Sequence, residues 1–138
     1  MPPISFRAIV IAFAAELGAD WIIGLLMFGF FAGGRWTPDM THEEAEKLVQ
    51  SVIDTTAIGP CLMVTGTITT ILGAYFAARL AKRIPYYHGL AMGIVGMVYI
   101  LATWTRDGQW IGWLGLVTTI PASLYGAHLA KKHMPQET

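Results

Sequence analysis

The chain has 138 residues, 54% of them hydrophobic and 13% charged, with a mean hydropathy of +0.52. A soluble single domain of that composition cannot hide its apolar surface, so a lipid bilayer is the natural solvent and partner. Lys plus Arg and Asp plus Glu balance at 9 each, which removes any general electrostatic argument for nucleic acid. The single cysteine, Cys61, makes no internal disulfide and fits no multi-cysteine metal spacing.

Taken in chain order, the first apolar run covers 6–31 and contains two acids, Glu16 and Asp20. It is too long and too interrupted for a cleaved signal peptide and is read as mature structure. Residues 41–55 come next, where Thr41 and Glu44 have capping-box spacing and Ala45, Leu48, Val49, Val52 and Ile53 recur at helical intervals. The pattern predicts a short amphipathic helix on the membrane surface, with an apolar face left to dock a partner.

Three more apolar runs, 57–80, 86–104 and 109–129, are each long enough to cross roughly 30 Å of hydrocarbon at about 1.5 Å per residue. The expected fold is an all-α membrane protein of one domain, with four transmembrane helices and the amphipathic helix in its first loop. The connection at 81–85 is short and basic, and that at 105–108 carries an Asp-Gly turn signal.

Orientation is set by basic residues near the span ends. Arg7, Arg79, Lys82, Arg83, Lys131 and Lys132 fall on one side, against Arg35, Lys47 and Arg106 on the other, so both termini are expected to be cytoplasmic. Trp36, Trp104, Trp110 and Trp113 then gather at the outer interface, and Tyr86 and Tyr87 at the inner one.

Laid over each other without gaps, 66–83 and 115–132 share eight identities in eighteen positions, among them Gly66/Gly115, Thr69/Thr118, Thr70/Thr119 and Ile71/Ile120. The reading is a duplicated helical hairpin, its repeats related by an axis along the membrane normal. Small residues recur in register as well: Thr69, Gly73, Ala77 and Ala81, then Thr118, Ala122, Gly126 and Ala130, with Gly89, Gly93 and Gly96 between. In lipid such stripes let backbones approach, so they mark the bundle interface.

The first span has its own stripe, Ala8, Ala12, Glu16, Asp20 and Gly24, in which two acids replace small contact residues. A carboxylate at the centre of a membrane helix costs about 2.5 to 3.5 kcal/mol on insertion scales, so this face must point into the protein. Two like charges one turn apart repel, and the pair requires a proton, a bound cation, water or partner side chains. Hydroxyls at similar depth are Thr65, Thr69, Thr118, Thr119 and Ser123, and no Lys or Arg lies there. These seven residues form the candidate proton- or cation-binding site. A buried polar contact fixing helix register or joining subunits is the competing reading.

His88 and His128 begin the third span and end the fourth, which sets them near one depth. No further ligands accompany them and histidines there are ordinarily solvated, so neither haem nor a metal is expected. Pro60 and Pro121 are candidates for helix breaks near the site. No nucleophile with a base, metal cluster or phosphate loop appears, so no enzyme is expected.

Gly73, Tyr75, Ala77, Ala78 and Arg79, then His88 and Gly89, with Asp20 in the first span, resemble a group of small bacterial membrane proteins. That group carries a Gly-x-Tyr-x-Ala-Ala-Arg segment, a basic loop and a histidine opening the next helix. The resemblance implies a four-helix protein of the bacterial cytoplasmic membrane and no particular reaction. The functional expectation is a small proton- or cation-coupled transporter or channel, set against the alternative of a non-catalytic accessory subunit in a larger complex. A homo-oligomer or such a complex is expected, because four helices alone bury little.

Overall fold

The apolar runs are helices in the computed structural model, which describes residues 4–82, 84–103 and 110–134. Helix α1, Phe6–Ala32, starts where the Ser5 hydroxyl accepts the Ala8 amide and ends at Gly33, whose φ of 58° suits a residue without Cβ. Arg35 folds back there, donating from Nε to the Ala32 carbonyl at 2.9 Å. Helix α2, His42–Thr55, opens with a complete capping box: Thr41 Oγ1 accepts the Glu44 amide and Glu44 accepts the Thr41 amide at 2.8 Å.

Helix α3 spans Ile58–Ala81. Pro60 lies in its first turn, where the missing N–H has no helical partner to lose, so the expected break is absent. Helix α4, Pro85–Thr103, begins on a proline whose fixed φ suits the first helical position. Before it, Lys82 and Ile84 take φ of 55° and 39°, an unfavourable left-handed conformation for a β-branched residue. Helix α5, Trp110–Lys132, contains Pro121. The expected turn at 105–108, with Trp104, Arg83, Arg106 and the Trp110 side chain, lies outside the described residues.

Among the described residues three helices, α1, α3 and α4, are long and apolar enough to cross a membrane. In α5 a polar run of Thr118, Thr119, Pro121 and Ser123 dilutes the apolar character. Large side chains such as Trp21, Leu25, Leu26 and Phe30 stand more than 60% exposed on α1, a surface that only lipid or another protein tolerates.

Two antiparallel pairs build the bundle. Helix α1 runs against α3, with Glu16 over Gly73 and Asp20 bonded to Thr69, while α4 runs against α5, with Gly89 on Ala127 and Gly93 on Ser123. The pairs join through α3 and α5, which are parallel and meet where Gly126 seats against the Ile71 carbonyl. Helix α3 therefore packs on α1, α4 and α5, whereas α1 makes no backbone contact with α5. Helices α1 and α4 touch through Ile9, Ala12 and Met92, and through the edge-to-face rings of Phe13 and Tyr99, 5.9 Å apart. Beyond Phe13 a groove lined by Leu17, Asp20, Trp21, Gly24, Leu25 and Tyr99 runs along α1.

The apolar face of α2 is not left for a partner. Leu48 and Val52 are buried with Ala32 and Ile58, with Met27, Phe28 and Phe31 packed around them, so α2 covers the α1–α3 junction. The expectation of a free docking face is corrected accordingly. Its outer side is polar, with Lys47 to Glu43 at 2.6 Å, an exposed pair of little energetic weight.

The close seat of α5 on α3 is open to measurement. Gly126→Ala sets a Cβ on the Ile71 backbone and should cost about 1–3 kcal/mol, read as a lower Tm in detergent micelles. Gly66→Ala, with nothing near its Cβ, should show no loss. At α2, hydrogen bonds from Thr41 hold the Glu44 carboxyl below its ordinary value of 4.5. The folded value is depressed, so this cap is fully present above about pH 4.5 and disappears as pH falls through the lower folded value. The Thr41 amide shift followed by NMR should titrate below pH 4.5, and Glu44→Gln should abolish that titration.

Candidate functional site

The two acids leave α1 one turn apart and meet adjacent hydroxyls on α3. Thr70 Oγ1 donates to Glu16 Oε1 at 2.8 Å, and Thr69 Oγ1 donates to Asp20 Oδ1 at 2.5 Å. Antiparallel packing makes this pairing possible, because residue numbers rise along α1 as they fall along α3. Close approach makes it tight: Glu16 Oε2 lies where a Cβ on residue 73 would stand, so only glycine there admits the carboxyl. The small-residue stripe on α3 thus receives an acidic side chain and is more than a helix contact.

The two hydroxyls differ in their alternatives. Thr69 Oγ1 is also 2.9 Å from the Gly66 carbonyl and 3.2 Å from that of Thr65, yet has one proton to give. With Asp20 ionised, that proton goes to the carboxylate. With Asp20 protonated, the carboxyl donates to Thr69 Oγ1, which turns its own proton to the Gly66 carbonyl. Either state of Asp20 keeps its bond to Thr69.

Both carboxylates line one cavity of about 160 Å³, bounded by α1, α3, α4 and α5. Its wall includes Thr67, Thr70, Thr118 and Thr119 among the polar groups and Phe13, Tyr99 and Ile100 among the apolar ones. A space of this size with several polar groups has room for a few waters or a small cation. Asp20, Leu17 and Tyr99 also line the groove along α1, so the cavity and groove are neighbours.

Of the sequence-predicted residues, Glu16, Asp20, Thr118 and Thr119 line this cavity, and Thr69 joins it through Asp20. Thr118 and Thr119 donate within α5, to the carbonyls of Leu114 and Gly115. The remaining two sit elsewhere: Thr65 bonds back to the Cys61 carbonyl, and Ser123, fully buried, bonds back to that of Ile120 beneath Gly93. Sequence reasoning misses Thr70, Phe13 and Tyr99 as site residues. Thr70 carries a signal, since it belongs to the repeated Thr-Thr-Ile segment. The rings carry none, because an aromatic residue in an apolar run resembles any lipid-facing one.

His88 is buried at 1% exposure, in contrast to the solvated position expected. Its Nε2 is 2.9 Å from the Ser5 amide and its Nδ1 is 3.2 Å from the Ile84 carbonyl. His128 is exposed, with Nδ1 2.9 Å from the Tyr86 hydroxyl. Both His88 nitrogens are thus engaged by protein atoms. Among the described residues no group of three or more His, Cys, Asp or Glu side chains stands together as metal ligands would.

Comparison of the chain with protein-family models, with curated proteins and with solved structures finds no match.

The packing of Glu16 on Gly73 has a measurable signature. Gly73→Ala should lower stability by about 1–3 kcal/mol, because the added methyl and the carboxyl compete for one space. In a Glu16→Ala background that space is vacated, so the same change should cost little. A double-mutant cycle on thermal unfolding reads the coupling, and equal costs in both backgrounds would contradict the packing.

Proposed function

We propose that this chain is a small transport protein or channel of the bacterial cytoplasmic membrane, in which Glu16 and Asp20 take up a proton or a cation. The observation that carries this reading is the shared cavity: two membrane-depth carboxylates open on it, with hydroxyls around them and no basic side chain along its wall. Purely structural acids need only satisfied hydrogen bonds. These acids have those bonds and a space beside them.

The chemistry fits reversible occupancy. Thr69 accommodates Asp20 with or without a proton, which lowers the cost of exchanging it. Glu16 lies one turn away, so a positive charge bound between the two relieves their repulsion. In this reading α5 is the fourth span, long enough at 23 residues and polar where it faces the cavity. Both termini are then cytoplasmic, and the parallel placement of α3 beside α5 accords with a duplicated hairpin.

The groove along α1 supports a second reading, an accessory subunit that docks a partner or a further copy of itself beside Asp20. Liposomes containing the purified protein discriminate the two. Proton or monovalent-cation flux should appear for the wild type, fall at least tenfold in Asp20→Asn and fall in Glu16→Gln. Silence from the wild type across a panel of ions and substrates would sink the transport reading. Loss of copurification with a partner in both variants would favour the accessory role.

A further inference from the structure

We propose that His88 is a proton-operated latch that ties the start of α1 to α4 beneath the carboxylate cavity. This goes beyond the transport reading and does not depend on what the cavity binds. The donor and acceptor roles at this ring are fixed by its neighbours. The Ser5 backbone N–H can only donate, so His88 Nε2 must be an acceptor, and a neutral ring then carries its proton on Nδ1. That proton points to the Ile84 carbonyl, which can only accept.

A second proton affects the two bonds unequally. It lands on Nε2, converting the acceptor into a donor that faces the Ser5 N–H, and the two groups then repel. Nδ1 stays a donor, so the bond to Ile84 survives. The Ile84 carbonyl also receives the amides of Tyr87 and His88, at 3.1 and 3.4 Å, so the strained turn before α4 remains held. Protonation therefore releases α1 and spares the α3–α4 connection.

The surroundings offer no alternative partner for a charged ring. Among the described residues the titratable and charged groups at this end of the bundle are Arg7 on α1, Tyr75 and Arg79 on α3 with Lys82 after it, Tyr86 and Tyr87 on α4, and Tyr125, His128, Lys131 and Lys132 on α5 with His133 after it. Among the described residues no carboxylate stands there. The nearest along α1 is Glu16, eleven positions from Ser5 or about 16 Å of helix. Glycine at position 89 brings α4 onto Ala127 and Ser123, closing the far side of the ring's helix against α5.

The tie matters because α1 meets α4 at few places. Above Ser5 come Ile9, Ala12 and Met92, then Phe13 against Tyr99, and those two rings are already part of the cavity wall. Once the Ser5 N–H no longer bonds to the ring, α1 stays held on α3 and keeps on its α4 side only the apolar contacts of Ile9, Ala12 and Phe13. The base of the cavity then loosens along the α1–α4 seam.

Spin labels read this directly. In a Cys61→Ala background, labels at Phe6→Cys and Tyr87→Cys occupy exposed positions next to Ser5 and His88. In lipid nanodiscs at pH 8 the expected distance distribution is single and short, and at pH 5 a longer population should appear. His88→Gln keeps an acceptor for the Ser5 amide and cannot be protonated, so its distribution should stay short at both pH values. The same shift should persist in Glu16→Gln/Asp20→Asn, which separates it from titration of the acids and from any failure of the transport reading. A wild type unchanged between pH 8 and pH 5, or a shift that His88→Gln leaves intact, would overturn the latch. If His88→Gln does not fold, the His88 ring nitrogens followed by NMR serve instead. They should show the Nδ1-protonated form at pH 8 and gain the second proton over the range in which the distance changes; a distance change with the ring still singly protonated overturns the proposal.

Discussion

Two carboxylates on an apolar helix must find hydrogen-bond donors inside the protein, and that need decides where α1 lies. Lipid offers no donor, and an unsatisfied polar group in hydrocarbon costs several kcal/mol. The Thr69 and Thr70 hydroxyls meet the requirement only if α1 runs antiparallel to α3 in one register and close enough for Glu16 to sit on Gly73. Sliding α1 by one turn towards the end of α3 would set Glu16 opposite Ala77 and Asp20 opposite Gly73, neither of which has a side-chain donor. Apolar helices pack in many registers at similar cost, and the polar pairs select one. The cavity beside the acids and the groove along α1 are consequences of that placement.

The rest of the bundle is organised differently. Between α3, α5 and α4 the packing comes from small residues, with Gly126 on the Ile71 carbonyl and Gly89 and Gly93 on Ala127 and Ser123. Such packing depends on shape, is short-ranged, and does not change with protonation. The hydroxyls of Thr119 and Ser123 turn back to carbonyls of their own helix, so α5 presents a largely self-satisfied surface to its neighbours. Three helices thus form a core set by dispersion and close approach. The fourth is held by a mixture of apolar packing and polar ties.

The same division explains how much of the molecule is legible in its sequence. The stripe from Ala8 to Gly24 is readable because small and acidic residues recur every fourth position in an otherwise apolar run. Which stripe it meets is not, since α3, α4 and α5 all carry small residues at similar spacing. Thr65 and Thr69 look equally suitable, and only the α1–α3 register turns one toward Asp20 and the other back to Cys61. For α2 the pattern marks Leu48 and Val52 as a face but not the surface they cover, which is the junction at Ala32 and Ile58. His88 misleads most. A histidine opening a span reads as interfacial, and its burial arises from two distant facts, the approach of α4 to α5 at Gly89 and the Ser5 amide lying over the ring.

This division also determines where chemistry can act on the fold. A proton arriving where Gly126 meets Ile71 would find a backbone carbonyl and methyl groups, none of which titrates. On α1 it finds Glu16 and Asp20 near mid-helix and, across the seam, the ring that holds Ser5. The two hydroxyl ties differ in their surroundings: Thr69 has the Gly66 carbonyl as a second acceptor, whereas Thr70 has Glu16 as its partner among the described residues. Glu16, wedged on Gly73, is the acid whose position is fixed by shape. Helix α4 meets α5 through Gly89 and Gly93, whereas α1 meets α3 through Glu16 and Asp20, and beside those two carboxyl groups lies a cavity with room for a small cation or a few waters.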